Sequence, residues 1–171
     1  MTSAPRLDES TRARALQPQQ TARLLLQPTS PADRQTAGRL YLDAEVMLHI
    51  APGGAINEEE VGRRVVAAET RWRQVGFDMW TLLERDSGDY VGRGGLIFSE
   101  ELDEVEVGYM LVREKWGHGF ATELTIFALS FGFATLGLDR VVAVVDVPHT
   151  RSQHVLEKAG MRYEKDTTYE G

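Results

Sequence analysis

A long apolar helix between two strand-like segments constrains the fold of this chain more than any other feature. Residues 119–136 carry apolar side chains, such as Phe120 and Leu124, on nearly every helical face, so we expect this helix to be deeply buried. Residues 104–111 alternate between apolar and polar positions, and residues 141–147 are apolar except at Asp146, patterns that predict two strands. A strand–helix–strand crossover of this kind places the two strands parallel in one sheet.

The remaining sequence pattern predicts more strands and helices around this crossover. These elements are further strands at residues 22–27, 79–84, 90–98 and 161–165, and further helices at residues 30–42, 57–74 and 151–159. Residues 86–89 read as a hairpin turn, and residues 52–54 break the chain between the first two helices. The predicted fold class is a single α/β domain with a mostly antiparallel sheet, one parallel crossover and helices on both faces.

The N-terminal segment is predicted to lie outside this domain. Residues 1–20 mix Pro, Gln, Ser and charged side chains without an apolar run, which is typical of a flexible tail and not of a secretory signal. The folded domain is expected over residues 21–171. With 171 residues and 42% hydrophobic side chains, the chain has the size and apolar content of one domain.

Composition excludes several classes of function. The formal net charge of −7 argues against a nucleic-acid partner, since such proteins carry basic surfaces, and it suits a substrate that is an amine. The absence of cysteine excludes disulfides, thiolate metal sites and cysteine nucleophiles. His49, His118, His149 and His154 lack the spacing of metal ligands, so no metal is expected. No apolar run suggests a membrane span, and a cytoplasmic protein is expected.

Two glycines stand at the start of the long helix. Within residues 113–123 (REKWGHGFATE), Gly117 and Gly119 allow the backbone to approach a ligand closely. The first turn of a helix leaves N–H groups unpaired, and the helix dipole adds partial positive charge there. These features predict a seat for a phosphate or pyrophosphate, to which Thr122 adds a hydroxyl. A tight turn that serves packing alone explains the same glycines equally well.

Two other phosphate-binding motifs do not fit this segment. A Walker loop requires G-x-x-x-x-G-K-[ST], which the sequence lacks. A dinucleotide fingerprint requires a third glycine at the position of Thr122. A nucleotide-binding protein that uses the same glycine turn remains an alternative at this point.

Four segments in register resemble the GNAT superfamily of N-acetyltransferases. That superfamily binds the pyrophosphate of coenzyme A with Q/R-x-x-G-x-G/A, and residues 116–121 (WGHGFA) depart from this motif only at the first position. The Trp at that position, in WGHGFATE, is similar to the branch that includes the ribosomal-protein N-terminal acetyltransferases. The other similar segments are TARLLL at residues 21–26, VEVGY at residues 105–109, and Ser152 followed by VLEKAGM. The resemblance covers residues 21–168.

This resemblance implies transfer of an acetyl group from acetyl-CoA to a primary amine, either a small molecule or a protein N-terminus. The expected cofactor contacts are Trp116, Gly117, His118, Gly119, Phe120, Ala121 and Thr122. The backbone amides of Met110 and Val112 are expected to donate to the acetyl carbonyl and the pantetheine arm, with a bulge at Gly108. Met47, His49 and Trp80 are expected to line the acceptor side.

The implied reaction needs a base for the acceptor ammonium and a proton for the leaving thiolate. Glu106, on the strand before the glycine turn, is the first candidate for the base, and Glu104 is the second. An exposed strand glutamate is the alternative interpretation of Glu106. Ser152 is the candidate that assists the departing sulfur, followed by Tyr109, and a helix N-cap is the alternative interpretation of Ser152.

Two departures from the family pattern bear on function. His149 stands where the family has an Asn that bonds the pantetheine arm, so His149 is expected at the cofactor. Family members continue with a last strand that this sequence does not contain, and its place in the sheet could be taken by a second subunit in a homodimer. These departures favour, as the alternative function, a CoA-binding or regulatory domain without turnover.

Overall fold

A computed structural model describes residues 4–50 and 54–168, in which five strands form one sheet. The strands are β1 Gln19–Gln20, β2 Leu24–Pro28, β3 Met79–Glu84, β4 Tyr90–Ser99 and β5 Glu104–Leu111. They lie in sequence order, and each neighbouring pair is antiparallel. Residues 52 and 53 of the predicted chain break lie outside the described residues.

Helices cover both faces of this sheet. They are α1 Glu9–Ala15, α2 Arg34–Tyr41, α3 Ala44–Met47, α4 Glu58–Gln74, α5 Phe120–Ala134 and α6 Thr150–Lys158. Alternation along the strands separates the two faces: on β3, Trp80 packs edge-on against Phe127 and Phe131 of α5, whereas Met79 packs into the cluster formed by α2, α3 and α4. This architecture confirms the predicted fold class.

The strand predicted over residues 141–147 is reduced to a single parallel bridge between Glu106 and Val142. Val142 accepts a hydrogen bond from Val107 N at 2.8 Å and donates one to Val105 O at 2.9 Å. Beyond the bridge the segment is not covered on both faces, since Val147 is 73% exposed. The prediction of a long buried strand was therefore wrong, because among the described residues no second neighbour holds this segment extended.

The segment predicted as a flexible tail contains a helix and a strand. Asp8 caps α1 by accepting a hydrogen bond from Thr11 N at 2.8 Å, and Ala15 is fully buried in the main core. The side chain of Leu7 lies next to Gly76, where an added Cβ would be 2.9 Å from it. Residues 9–20 were misassigned because they contain too few apolar residues to show a helical or strand period in the sequence.

Two further expectations about the C-terminal half also need correction. Helix α5 is not buried on every face, since Ile126 is 52% and Phe133 is 48% exposed. Residues 161–168 have no regular secondary structure, although a strand was expected from residue 161 to 165. Within the described residues, no helix is long and apolar enough to cross a membrane.

A substitution tests whether α1 is part of the folded domain. Ala15→Asp should lower the free energy of unfolding by about 3 kcal/mol or more, because it places a carboxylate in an apolar cluster. Ala13→Asp introduces the same side chain at an exposed position of the same helix and should change this free energy by less than about 0.5 kcal/mol. Denaturant unfolding measures both, and equal stabilities would show that the segment is a tail.

Candidate active site

A cleft of about 930 Å³ opens where β5 and the chain after α5 separate. The bridge at Val142 closes one end of this cleft. The end of β5 forms one wall, residues 116–122 form the floor, and the start of α6 forms the opposite wall, while residues after α3 complete the rim. Residues far apart in sequence therefore meet in a single concave site.

The glycine turn, residues 116–119, brings free backbone amides to this cleft. Gly117 has φ +76° and Gly119 has φ +82°, left-handed conformations that side chains with a Cβ rarely adopt. Gly119 is the N-cap of α5, and the first backbone bond of the helix runs from Glu123 N to Gly119 O at 3.1 Å. The amides of residues 120–122 precede this bond, so they are available to an anion.

An ion pair at the first turn of α5 holds the glycine turn in place. Glu123 accepts hydrogen bonds from Thr21 Oγ1 at 2.5 Å and from Arg23 Nε at 2.7 Å. Arg23 also donates to His118 O at 2.8 Å and lies 4.5 Å over the ring of Phe120. Burial alone would raise the pKa of Glu123, but the hydrogen bonds from Thr21 and Arg23 outweigh it and lower that pKa.

The structure brings most of the predicted cofactor residues to the cleft. Its described lining includes Met110, Trp116, Gly117, Gly119, Phe120, Ala121, Thr122 and His149. The side chain of His118 is exposed and does not line the cleft, because its carbonyl is held by Arg23 and its ring lies next to Phe120 on the outside. His118 contributes to the turn through its backbone.

The amides of β5 that were predicted to face the cofactor point into the sheet instead. Val112 N donates to Val91 O at 3.0 Å. Backbone groups alternate in direction along a strand, and the register with β4 continues without interruption through the pair of Gly95 and Gly108. Met110 N therefore also points toward β4, and Gly108 forms no bulge.

The odd-numbered residues of β5 present their backbone to the cleft. Val107 N is bonded to Val142 O, so Tyr109 and Leu111 point the same way by alternation. Beyond the bridge, Leu111 O accepts a hydrogen bond from Trp116 Nε1 at 2.8 Å. This bond satisfies the carbonyl of Leu111, which points away from β4. The amides of Tyr109 and Leu111 remain facing the cleft.

A hydroxyl pair spans the two walls of the cleft. Tyr109 Oη lies 2.7 Å from Ser152 Oγ and donates to Ser152 O at 3.3 Å. Burial raises the pKa of Tyr109, and the opposing effect of the Ser152 hydrogen bond is smaller. The phenol therefore keeps its proton through neutral pH. The N-cap of α6 is His149, so Ser152 does not take that position.

A second contact between the walls joins three titratable residues. His49 Nδ1 lies 2.8 Å from Asp146 Oδ2, and the rings of His49 and His149 stack with centroids 4.3 Å apart. Burial first, and then the proximity of His49, lower the pKa of His149. Sequence reasoning missed Asp146, because the expected strand over residues 141–147 gave it no place in a site. Met47 and Trp80, also expected on the acceptor side, are fully buried in the core.

Glu106 lies at the closed end of the cleft. It is half-buried at the bridge to Val142 and is not among the described residues that line the cleft. Met110, on the same face of β5, is four residues away, which corresponds to about 13 Å along a strand. Tyr109 is three residues from Glu106, about 10 Å along a strand and on the opposite face of β5, so the two sequence candidates Glu106 and Ser152 do not lie side by side.

One wall of the cleft is cationic although the whole chain is acidic. Arg151 and Lys158 of α6 both line it, and neither has a carboxylate within ion-pair distance in the described part of the chain. Lys115, also in the lining, is bound to Glu84, and this hydrogen bond raises the pKa of Lys115. The uncompensated charge therefore lies on α6, across the cleft from the glycine turn.

Comparison with known proteins identifies the family. Residues 23–162 match the acetyltransferase (GNAT) domain family, and the chain therefore belongs to this family of acetyltransferases. The structure and the family agree on the fold, and the match spans β2 to α6.

Individual relatives agree with this assignment. The chain is 27% identical to the uncharacterized N-acetyltransferase YoaA of Bacillus subtilis over 149 residues, which is 85% of this chain and 82% of YoaA. The GNAT-family acetyltransferase from Bacillus anthracis has a TM-score of 0.75 and 24% identity, with coverage of 87% and 86%. The spermidine N-acetyltransferase from Vibrio cholerae, solved with CoA and spermine, has a TM-score of 0.71 and 18% identity, with coverage of 85% and 84%.

Substitution of the second glycine tests the role of the turn. Gly119→Val should weaken acetyl-CoA binding at least tenfold, which is about 1.4 kcal/mol, because valine disfavours a φ of +82° and its Cβ would lie 3.4 Å from Arg23. Gly137→Val is the matched control: its φ of +71° is equally left-handed, but Gly137 lies outside the cleft lining. Calorimetry on both folded variants should show a higher dissociation constant for acetyl-CoA in Gly119→Val alone. Wild-type affinity in Gly119→Val would refute the role of the glycine turn in phosphate binding.

Proposed function

We propose that this chain transfers an acetyl group from acetyl-CoA to the primary amine of a small molecule or a protein N-terminus. One observation carries the proposal: the glycine turn and the Tyr109–Ser152 pair lie in the same cleft. The turn supplies the amides and helix dipole that a pyrophosphate requires. The hydroxyl pair supplies a proton donor for the leaving thiolate.

The cleft residues fit acetyl-CoA along its length. The pyrophosphate would lie on the N–H groups of residues 117–122, with Arg151 and Lys158 offering cationic partners to the phosphates. The pantetheine arm would follow the outward edge of β5, where the amide of Leu111 is available. The thioester would then reach Tyr109 and Ser152, near the stacked ring of His149.

Each chemical requirement of the transfer has a candidate group. The Tyr109 amide, facing the cleft, is positioned to donate to the carbonyl oxygen as negative charge develops on it. The Tyr109–Ser152 pair is positioned to give a proton to the departing sulfur. Glu106, the base proposed from the sequence, could act only through intervening water, because it is not among the described residues that line the cleft.

The charges of the cleft favour a monoamine over a polyamine as acceptor. Glu45 is the one carboxylate residue among the described residues that line the cleft, and it is paired with Arg113. A polycation would need several free carboxylates to replace its water shell. The rim beside Glu45 carries Leu48, which is 66% exposed, and Ile50, which is 37% exposed. An acceptor with one amine next to an apolar group would fit this rim. A peptide N-terminus whose first residue has an apolar side chain is one example.

Acceptor-dependent release of free thiol tests the proposed function. Purified protein with acetyl-CoA should release thiol faster in the presence of apolar primary amines or N-terminal peptides than without them, and spermine should be a poorer acceptor. Stabilisation by acetyl-CoA without turnover of any amine would instead indicate a CoA-binding domain.

Removal of either hydroxyl of the pair tests its role in the chemistry. Ser152→Ala and Tyr109→Phe should each lower kcat by about tenfold or more, because the thiolate loses a proton donor, while the dissociation constant of acetyl-CoA changes little. Because the pKa of Tyr109 lies above its ordinary value, wild-type kcat should not fall through Tyr109 ionisation below about pH 10. Steady-state kinetics measure both effects, and an unchanged kcat in both variants would exclude the pair as proton donor.

A further inference from the structure

The contact of His49 with Asp146 arranges an imidazole in the way that a catalytic base requires. His49 Nδ1 lies 2.8 Å from Asp146 Oδ2. A carboxylate accepts hydrogen bonds, so it fixes the tautomer in which Nδ1 carries the proton and Nε2 carries the lone pair. A base held in orientation by a third group is the recurring arrangement of acid–base catalysis. His49 also lines the cleft and is 24% exposed at its side chain, so it is reachable from the cleft.

We propose that Nε2 of His49 is the base that removes the proton from the acceptor ammonium, with Asp146 as its positioning residue. This inference rests on the proposed acetyl transfer and deepens it. His49 follows α3 at the apolar rim of the cleft and contacts His149 at the start of α6, whereas the glycine turn forms part of the floor. The base therefore stands on the side by which an acceptor enters. Glu106, in contrast, lies at the closed end and outside the lining.

The charged surroundings support a His49 that can accept and release a proton. Asp146 contacts it from the opposite wall and stabilises the imidazolium once that forms. His149 stacks on it and has a lowered pKa, first through burial and then through His49 itself, so His149 remains neutral. Arg151 lies beyond His149 on α6, and Glu45 on α3 is already paired with Arg113. Asp146 is thus the carboxylate that balances the added proton.

The proposed step balances in protons and bonds. His49 Nε2 takes one proton from the ammonium and later releases it to solvent. The neutral amine attacks the thioester carbonyl, so a C–N bond forms and the C–S bond breaks. As the amide forms, the nitrogen gives up its second proton, and the Ser152 and Tyr109 hydroxyls pass one proton to the sulfur and regain one from the nitrogen. The net products are the amide, free CoA thiol and one proton.

His49→Asn is the most informative variant. The amide nitrogen of Asn takes the place of Nδ1 and retains a donor for Asp146, while the basic Nε2 is removed. We expect kcat to fall about 100-fold, with the dissociation constant of acetyl-CoA within about twofold of wild type. Measured at saturating acceptor, the decline of wild-type kcat on acidification that a general base causes should disappear in the variant.

Two carboxylate variants separate the role of Asp146 from a change in net charge. Asp146→Asn keeps an oxygen that can accept from Nδ1 but removes the negative charge that stabilises the imidazolium, so it should lower kcat at least tenfold while acetyl-CoA still binds. Asp139→Asn makes the same substitution at an exposed position of the same connection and should have wild-type kcat. Thermal unfolding of each variant shows that the fold is retained.

The alternatives give different results. If His49→Asn retains wild-type kcat and the same acid decline, His49 is not the base. If only Glu106→Gln removes that decline, Glu106 is the base and the inference is overturned. If the wild-type protein binds acetyl-CoA but acetylates none of the amines, the proposed function itself fails, and the role of His49 fails with it. Loss of turnover in the His49 and Asp146 variants, but not in Asp139→Asn or Glu106→Gln, supports the inference.

Discussion

A pair of backbone hydrogen bonds at Val142 determines where the site of this protein lies. They join the chain after α5 to β5 at Val105 and Val107, and beyond them the two segments separate. The separated part of β5 keeps its partner β4 on one side and presents its other edge to the cleft. Exposed strand amides in a concave, partly apolar site are groups that a ligand must satisfy. The glycine turn, the start of α5 and the Tyr109–Ser152 pair all surround this opening, so they can act on one bound ligand.

The second determinant is the rigid placement of the start of α5. Two left-handed glycines set the path of the turn, and the Glu123–Arg23 pair ties it to the start of β2. The seat is therefore assembled from backbone groups whose positions are fixed before a ligand arrives. Such preorganisation reduces the conformational entropy lost on binding. The dipole of α5 and the cationic side chains of α6 would favour a phosphate at this point even in a chain of net negative charge.

The sequence predicted those parts of the protein whose signal is local. Alternation identified β5, and the two glycines identified the start of α5, because both depend on neighbouring residues. Predictions that required knowledge of pairing did less well: residues 141–147 looked like a buried strand, but their extended form depends on neighbours that the pattern does not contain. The direction of each backbone amide in β5 likewise depends on the register with β4. This register turns the amide of Tyr109 toward the cleft and the amide of Met110 toward β4. The contact of His49 with Asp146 joins residues 97 positions apart, and no short-range pattern reports it.

We expect the opening beside β5 to bind acetyl-CoA. Titration calorimetry of the wild-type protein with acetyl-CoA, ATP and NAD tests it most directly, because all three ligands carry a pyrophosphate while only acetyl-CoA has the pantetheine arm that the edge of β5 would bind. Acetyl-CoA should bind at least about 100-fold more tightly than ATP or NAD, a difference of about 2.7 kcal/mol. Comparable affinities for the three ligands, or no binding of acetyl-CoA, would contradict it.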